Sequence, residues 1–309
     1  MKIVFLDAST LGNADLSSIR RFGSLDLFPT SSPEEALERV ADADVLIVNK
    51  VRVTDEVMAR APKLKLICEA ATGVNNIDLE SAARRGISVR NVAGYSTDSV
   101  AQIAFAHILD LVCQTSRFDE HVKSGAYSAS GLFTDVKCPY MELSGKILGI
   151  VGMGTIGSRV AGIAEAFGMK VKYFSTSGTS HCTRYPSVSL DELLSTSDVI
   201  SIHAPLNERT NNLIDLEQIR KMKASAVIVN MARGGIVSEA GLAKAIDEEL
   251  IAGAALDVFV KEPLPYDSPL LHTSHPERIR FSPHIGWASA EAIERLVAGV
   301  AANIENRTE

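Results

Sequence analysis

The sequence lacks the features that mark several specialised classes of protein. It has no apolar run of 18 residues, so no membrane-spanning helix and no membrane partner are predicted. It has no block of lysine and arginine and a formal net charge of −7, so nucleic acid is not an expected partner. Its first residues, MKIVFLDAST, lack the layout of a secretion signal and are typical of a buried strand.

Cysteine is also scarce and scattered. The four cysteines, Cys68, Cys113, Cys138 and Cys182, form no C-x-x-C motif and no grouping with histidine at zinc spacing. We therefore predict no metal site, and reduced thiols in a cytoplasmic protein. What remains is ordinary for a globular protein, with 46% apolar and 22% charged residues, and 309 residues is a natural length for two domains.

Short apolar runs alternate with helical patterns along the whole chain. Runs that are apolar throughout and separated by helices predict parallel sheets covered on both faces, so the fold class is α/β. The predicted strands fall in two sets: 2–6, 45–49, 66–70 and 88–91, then 147–151, 171–174, 199–203, 226–230, 251–256 and 280–282.

A helix at 97–113 and a strandless stretch at 117–142 separate the two sets of strands. A stretch of that length without strands is unusual inside a compact domain. We interpret it as an arm that lies on a second subunit, which predicts a homodimer. The alternative is a plain excursion over the surface.

A glycine-rich turn follows the strand ILGIV. The turn Gly152-Met153-Gly154-Thr155-Ile156-Gly157 has the G-x-G-x-x-G spacing, with a strand before it, a helical pattern after it and a second strand, KVKYF, beyond. Gly152 permits a tight turn, Gly154 lets a pyrophosphate approach the backbone, and Gly157 lets the helix pack close to the strand. We therefore predict a dinucleotide whose phosphates lie at the helix N-terminus.

Three further segments place polar residues after predicted strands, where open α/β sheets hold their ligands. Arg233 lies in VNMARGG, Asp257 and Glu262 in DVFVKEP, and His284 in SPHIG. An arginine suits a carboxylate, and a glutamate that contacts a histidine favours the imidazolium, which can donate a proton. The alternatives are a surface cation for Arg233 and a structural histidine for His284.

The strings GMGTIG, VNMARGG, DVFVKEP and SPHIG, in this order, resemble those of the D-isomer-specific 2-hydroxyacid dehydrogenases. The resemblance extends to AATGVNNIDLESAARRGISVRNV in the first half and so covers nearly the whole chain. It implies two flavodoxin-like or Rossmann-like domains, with the cofactor domain inserted in the substrate domain. The implied boundaries are 1–99 plus 286–309 for the substrate domain and 100–285 for the NAD(P)-binding domain.

The resemblance also implies a role for each matching residue. Arg233, Glu262 and His284 would be catalytic: Arg233 would bind the 2-oxo acid, His284 would donate the proton, and Glu262 would orient His284. Gly73 and Val74 would bind the substrate with Arg233. The implied cofactor residues are Thr97, Gly152, Gly154, Thr155, Ile156, Gly157, Ser175, Thr176, His203, Ala204 and Asp257.

The reaction expected from the resemblance is hydride transfer between NAD(P)H and a small 2-oxo acid, giving a D-2-hydroxy acid. ATGVN, STDSVAQ and Trp287 after PHIG resemble the glycerate dehydrogenase and hydroxypyruvate reductase branch. Trp287 would then bind substrate, although it could equally pack as a wedge between the domains. A short D-3-phosphoglycerate dehydrogenase and a non-catalytic dinucleotide-sensing corepressor remain as alternatives.

One segment departs from the NAD pattern. An acidic residue is expected at the end of the second strand, where it binds the ribose 2′-OH. Here the strand KVKYF ends in Ser175-Thr176-Ser177, and no carboxylate occurs in residues 170–186. We therefore predict use of both NAD and NADP, with Arg184 as a less certain phosphate contact. The alternative is a loosely held ribose and NAD alone.

Overall fold

The computed structural model describes residues 1–137 and 139–307, so Cys138 lies outside the described residues. The chain divides into two compact units. Unit 1 is Met1–Ser96 together with the chain from Trp287 onward, and unit 2 is Thr97–Gly286. Cys68, Cys113 and Cys182 are free thiols. Across the described residues, no helix combines the length and apolarity that a membrane crossing requires.

The first five strands of the chain belong to unit 1, and the six that follow belong to unit 2. The strands of unit 1 are β1 (Lys2–Phe5), β2 (Ser24–Leu27), β3 (Val45–Val48), β4 (Leu66–Glu69) and β5 (Ser88–Arg90). The strands of unit 2 are β6 (Ile147–Val151), β7 (Lys170–Phe174), β8 (Val199–Ile202), β9 (Val227–Asn230), β10 (Gly253–Leu256) and β11 (Ile279–Phe281).

Every connection between successive strands contains an α-helix except that between β10 and β11, and one helix follows the last strand. The α-helices are α1 (Ser17–Arg20), α2 (Pro33–Arg39), α3 (Asp55–Ala59), α4 (Leu79–Arg84), α5 (Thr97–Cys113), α6 (Thr115–Lys123), α7 (Ala126–Ser130), α8 (Thr155–Ala166), α9 (Leu190–Thr196), α10 (Leu216–Ile219), α11 (Glu239–Asp247) and α12 (Ala290–Glu305). The stretch after α5 is strandless over its described residues, and it contains α6 and α7.

Both sheets are parallel and share one plan of strand order. The sheet of unit 1 runs β2-β1-β3-β4-β5, and the sheet of unit 2 runs β11-β10-β9-β8-β6-β7. In each, the second strand pairs on one side of the first and the third strand pairs on the other side, which creates a switch point beside the first strand. The predicted α/β class with two parallel sheets is confirmed.

Each sheet is covered by apolar clusters on both faces, which explains why its central strands are apolar throughout. Unit 2 has one cluster around Ile200, Ile228 and Leu242 and another around Leu148, Ile150 and Val160. Unit 1 likewise has two clusters, and α12 packs into one of them through Leu296, Val300 and Ile304. The last helix therefore completes unit 1.

The ten predicted strands all form, with ends that differ by no more than two residues. The sequence interpretation missed β2, and the prediction of four strands in the first set was wrong. The segment SLDL contains an aspartate and has no β-branched residue, and its two ends are exposed. As an edge strand it has a partner on one side only, so it needs no continuous apolar run.

Candidate active site

The switch point of the unit 2 sheet lies between the ends of β6 and β8. Gly152 follows β6 with a φ of +93°, a left-handed conformation that glycine adopts without strain. A Cβ at this position would lie 3.0 Å from the Cα atom of Ala204, which follows β8. Gly152 and Ala204 can therefore approach each other closely only because position 152 has no side chain.

The glycine-rich turn opens to solvent above this switch point. Gly154 and Thr155 are exposed at the start of α8, and a Cβ added at Gly154 would meet no atom within 4 Å. The first N–H groups of a helix have no partner inside the helix, and they attract anions. A Cβ at Gly157 would collide with the carbonyl oxygen of Gly152, so α8 begins in contact with the turn. These residues fit the pyrophosphate of a dinucleotide.

His203 lies beside this turn as a neutral residue. Its Nε2 atom lies 2.8 Å from the Ser201 hydroxyl oxygen, and its buried Nδ1 atom has no partner among the described residues. Burial lowers the pKa of His203 to about 3. The contact with the adenosine portion of a dinucleotide that the resemblance implies for His203 stays a prediction.

Glu262 and His284 form a pair at the carboxyl edge of the same sheet. The Nδ1 atom of His284 lies 2.6 Å from Oε2 of Glu262, and the other oxygen of Glu262 accepts the N–H of Phe259 at 2.9 Å. The glutamate is thus held from one side and holds the imidazole from the other. With Nδ1 engaged, Nε2 is the ring nitrogen left to exchange a proton with a ligand.

His284 lies in a strained turn that Asp257 organises. Its φ is +55°, which side chains other than glycine rarely adopt. The N–H groups of Ile285 and Gly286 donate to the two carboxylate oxygens of Asp257 at 2.9 and 2.8 Å, and the N–H of His284 donates to the carbonyl oxygen of Asp257. Asp257 therefore holds the turn, while its implied contact with nicotinamide stays a prediction.

A chain of hydrogen bonds supports Asp257 from α5. The Ser282 hydroxyl donates to the carboxylate of Asp257 at 2.5 Å. The hydroxyl oxygen of Ser282 also lies 2.9 Å from Nε2 of His107. Burial lowers the pKa of His107, which favours its neutral form. Nothing in the local sequence around His107 signals this role, because Ser282 lies 175 positions away.

Arg233 follows β9 in a loop that packs on the segment after β10. A Cβ at Gly234 would collide with the backbone of Phe259, so only glycine lets the two segments touch. Arg233 donates to the carbonyl oxygen of Ala232 at 2.7 Å, and Asn230 braces the loop through the carbonyl of Arg233. Arg233 is half-buried, with further N–H donors available for an anion.

The segment after β7 carries the hydroxyl groups that the sequence pointed to. Ser175 donates to the carbonyl oxygen of Thr179 at 2.7 Å, and Thr176 is half-buried beside it. Arg184, the arginine considered from the sequence, is paired instead with Glu165 at 2.5 Å. The arginine that reaches this segment is Arg209, whose Nη1 atom donates to the carbonyl oxygen of Ser177 at 3.2 Å.

The remaining predicted residues do not belong to the segments that follow the strands of unit 2. Thr97 is the first residue of α5 in unit 2. Gly73 and Val74 lie in unit 1 after β4, and Trp287 packs into the unit 1 core edge-on to Tyr95, with ring centroids 6.4 Å apart. The substrate contacts implied for Gly73, Val74 and Trp287 stay predictions.

The loop of Gly73 and Val74 rests on a buried polar network in unit 1. Asn76 donates to Glu69 at 2.9 Å and to the carbonyl of Val51 at 3.0 Å. Glu69 is 0% exposed, and burial, opposed by the Asn76 hydrogen bond, raises its pKa to about 8. Sequence analysis missed Glu69, because a single carboxylate in LICEA gives no sign that it is buried.

Asp7 occupies the switch point of the unit 1 sheet. Its carboxylate follows β1 and accepts the N–H groups of Asn49, Lys50 and Val51, which follow β3. The shortest of these bonds, from Lys50, is 2.6 Å. The position that corresponds to the glycine-rich turn of unit 2 is therefore filled by the protein itself.

Within residues 1–137 and 139–307, no group of three His, Cys, Asp or Glu residues is arranged so that it could hold a metal ion. Arg233, half-buried after the end of β9, is one of the cations at the carboxyl edge of the unit 2 sheet.

Comparison with known proteins points to one family. The family model described as D-isomer specific 2-hydroxyacid dehydrogenase, NAD binding domain, matches residues 105–286, which lie within unit 2. The chain is 35% identical to a glycerate dehydrogenase from Methylorubrum extorquens, with 98% of this chain and 95% of the relative covered. It is also 35% identical to a hydroxypyruvate reductase from Blautia hydrogenotrophica, with 99% and 96% covered.

A solved structure agrees with these relatives in fold. An acyclic imino acid reductase in complex with NADPH and D-Arg matches with a TM-score of 0.87 and 29% identity, covering 99% of this chain and 96% of that chain.

Proposed function

This chain belongs to the D-isomer specific 2-hydroxyacid dehydrogenase family, and from that premise we propose that it reduces hydroxypyruvate or glyoxylate to the corresponding hydroxy acid. It is an oxidoreductase that uses a nicotinamide dinucleotide. The observation that carries the proposal is the Glu262–His284 pair, 2.6 Å apart, on the sheet edge that also carries the glycine-rich turn. An acid beside a dinucleotide site is what carbonyl reduction requires.

A nicotinamide dinucleotide would supply the hydride when bound, and the protein supplies position and charge. Arg233 binds the carboxylate of the 2-oxo acid and polarises its carbonyl oxygen, which stabilises the negative charge that develops there. His284 donates a proton from Nε2 to that oxygen, and in the oxidative direction the neutral ring takes the hydroxyl proton back. Glu262 stabilises the imidazolium and fixes its orientation through Nδ1.

The substrate assignment is supported by the relatives named glycerate dehydrogenase and hydroxypyruvate reductase. The test is a panel of hydroxypyruvate, glyoxylate, phenylpyruvate and 3-phosphohydroxypyruvate, each with NADH and with NADPH. The reaction rate is measured from the loss of absorbance as the reduced nicotinamide is oxidised. A parallel series with an added amine asks whether an imino acid is reduced instead. We expect the highest kcat/KM with hydroxypyruvate or glyoxylate. A higher value with the phosphorylated acid or the imino acid would contradict the assignment.

We also propose that both dinucleotides serve, with NADPH accepted at least comparably to NADH. The support is the segment after β7, which has hydroxyl groups and no carboxylate to bind the ribose hydroxyls or to repel a 2′-phosphate. The measurement is kcat/KM for each dinucleotide under matched conditions. A preference for NADH beyond about a hundredfold, roughly 2.7 kcal/mol, would contradict dual use.

The assembly is proposed to be a homodimer whose arm is the stretch 117–142. The support is a group of exposed large apolar side chains in and around it: Val122, Leu132, Phe133, Val136 and Tyr140. Unpaired apolar surface of this kind marks an interface.

We further propose that unit 1 is the substrate domain and unit 2 the cofactor domain. We also propose that the protein belongs to the cytoplasm, where free thiols persist.

A further inference from the structure

The segment that follows β7 presents an arginine from a distant loop. Ser177 and Gly178 form the turn after the strand, and Arg209 lies in the loop that follows β8. The Nη1 atom of Arg209 lies 3.2 Å from the carbonyl oxygen of Ser177 and 3.9 Å from where a Cβ of Gly178 would be. In dinucleotide-binding folds this is the strand end at which the adenosine ribose is read.

Arg209 has donors to spare. Its side chain is exposed, and one guanidinium nitrogen is used on Ser177 out of a group that carries five N–H donors. No carboxylate among the described residues forms an ion pair with it. Its backbone N–H donates to the side chain of Asn207 at 2.9 Å, which fixes the start of the side chain at the loop.

Arg184, the other arginine near this segment, is already committed. Its guanidinium pairs with Glu165 at 2.5 Å and lies over the ring of Tyr185, 5.4 Å from the ring centroid. Arg184 is thus neutralised by a carboxylate, whereas Arg209 brings an unneutralised charge to a segment that has no acidic residue in 170–186.

We propose that Arg209 determines cofactor specificity by binding the 2′-phosphate of a phosphorylated dinucleotide, with the hydroxyl group of Thr176 in the same segment as a further donor. This inference rests on the proposed use of NADPH. A phosphate monoester carries a charge of about −2 at neutral pH and offers three acceptor oxygens. A planar guanidinium matches those oxygens in pairs, and charge-assisted bonds of this kind are the strong ones.

A purely structural role for Arg209 makes a different prediction. If Arg209 only braced the Ser177 turn, its loss would weaken every adenine nucleotide to the same degree. If it binds the 2′-phosphate, its loss weakens only ligands that carry this group. The two cases therefore separate when binding of a nucleotide with the phosphate is compared with binding of one without it.

The experiment is titration calorimetry of the full-length protein with 2′,5′-ADP and with 5′-AMP. The variants are Arg209→Ala, Arg209→Lys and, as the matched control, Arg184→Ala. We expect Arg209→Ala to weaken 2′,5′-ADP by about tenfold or more, the loss of a charge-assisted contact, while 5′-AMP binds as before. Arg209→Lys retains part of the affinity as a point charge, and Arg184→Ala leaves both ligands unaffected.

Each other outcome overturns a defined claim. If Arg209→Ala weakened binding of both ligands equally, Arg209 would only support the Ser177 turn, and the inference would be overturned. If Arg209→Ala still bound 2′,5′-ADP more tightly than 5′-AMP, as the wild type does, the role of Arg209 would be overturned while dual cofactor use would stand. Wild-type protein that binds 2′,5′-ADP no better than 5′-AMP would overturn recognition of the 2′-phosphate, and with it the role of Arg209, and would leave both comparable use of the two dinucleotides and hydride transfer untouched.

Discussion

His284 combines an unusual backbone conformation with a chemical role. Asparagine tolerates the left-handed region far better than alanine does, and it can still donate a hydrogen bond to Glu262. His284→Asn therefore removes the proton donor but keeps the turn, whereas His284→Ala removes the donor and also strains the backbone, by about 1–2 kcal/mol.

We expect both His284 variants to lose turnover by about a hundredfold or more, the usual worth of a general acid, while NADH binding is retained. The free energy of unfolding should fall only for His284→Ala. Single-turnover kinetics and urea unfolding provide the two measurements, and His272→Ala, at an exposed histidine of the same unit, is the control. Near-normal turnover of His284→Asn would remove His284 from the mechanism.

Glu69 makes stability depend on pH. Its pKa in the folded protein is about 8, well above the ordinary 4.5, because burial disfavours the charged form. The unfolded chain therefore loses this proton first, and the folded state loses stability progressively as pH rises from 4.5 to 8. At about 1.36 kcal/mol per unit, the loss amounts to a few kcal/mol.

Glu69→Gln cannot ionise, so this loss should disappear. We expect the free energy of unfolding of the variant, relative to wild type, to increase between pH 5 and pH 8. Urea unfolding at the two pH values measures it, with Glu80→Gln, at an exposed position in the same unit, as the control. If the free energies of unfolding of Glu69→Gln and wild type differed by the same amount at both pH values, Glu69 would already be ionised in the folded protein at pH 5.

At the scale of one element, α8 offers two glycines with opposite surroundings. A Cβ at Gly157 would collide with the carbonyl oxygen of Gly152, whereas one at Gly162 would meet nothing within 4 Å. Gly157→Ala should cost about 1–3 kcal/mol of stability, since α8 must move away from the turn, and should weaken NADH binding. Gly162→Ala should stabilise the helix by up to about 1 kcal/mol.

Thermal unfolding and NADH fluorescence report the two effects on α8. Because the two substitutions are chemically identical and lie in one helix, any difference between them comes from contact with the turn. Equal stability of the two variants would show that the close approach of α8 to Gly152 is not needed.

The strands could be predicted from sequence wherever both faces are buried, since burial on both sides leaves an apolar run. Glu262 and His284 could be assigned to one edge because parallel strands end together. β2 could not be found, because an edge strand needs no such run. Arg209 could not be found either, since its contact with Ser177 joins two loops 32 positions apart and depends on how they fold.

At the scale of the whole molecule, the exposed apolar side chains of the arm predict self-association. Phe133 is 95% exposed and Val136 is 79% exposed, which is costly unless a second copy covers them. We expect light scattering to give a mass near twice 33.1 kDa for the wild type. A double substitution, Phe133→Asp with Val136→Asp, should give the monomer.

Leu79→Asp is the matched control for the arm variant, because Leu79 is an exposed apolar residue of unit 1, outside the arm. It should leave the mass unchanged. A wild-type mass near 33.1 kDa at micromolar concentration would rule out the dimer.

The carboxylate of Asp7 has a consequence for stoichiometry. Two sheets of the same strand order could in principle each accept a nucleotide, and a chain built in this way would bind two. In unit 1, however, the side chain of Asp7 already occupies the backbone donors of Asn49, Lys50 and Val51. Saturation should therefore come at one nucleotide per chain, with a single class of site in a calorimetric titration.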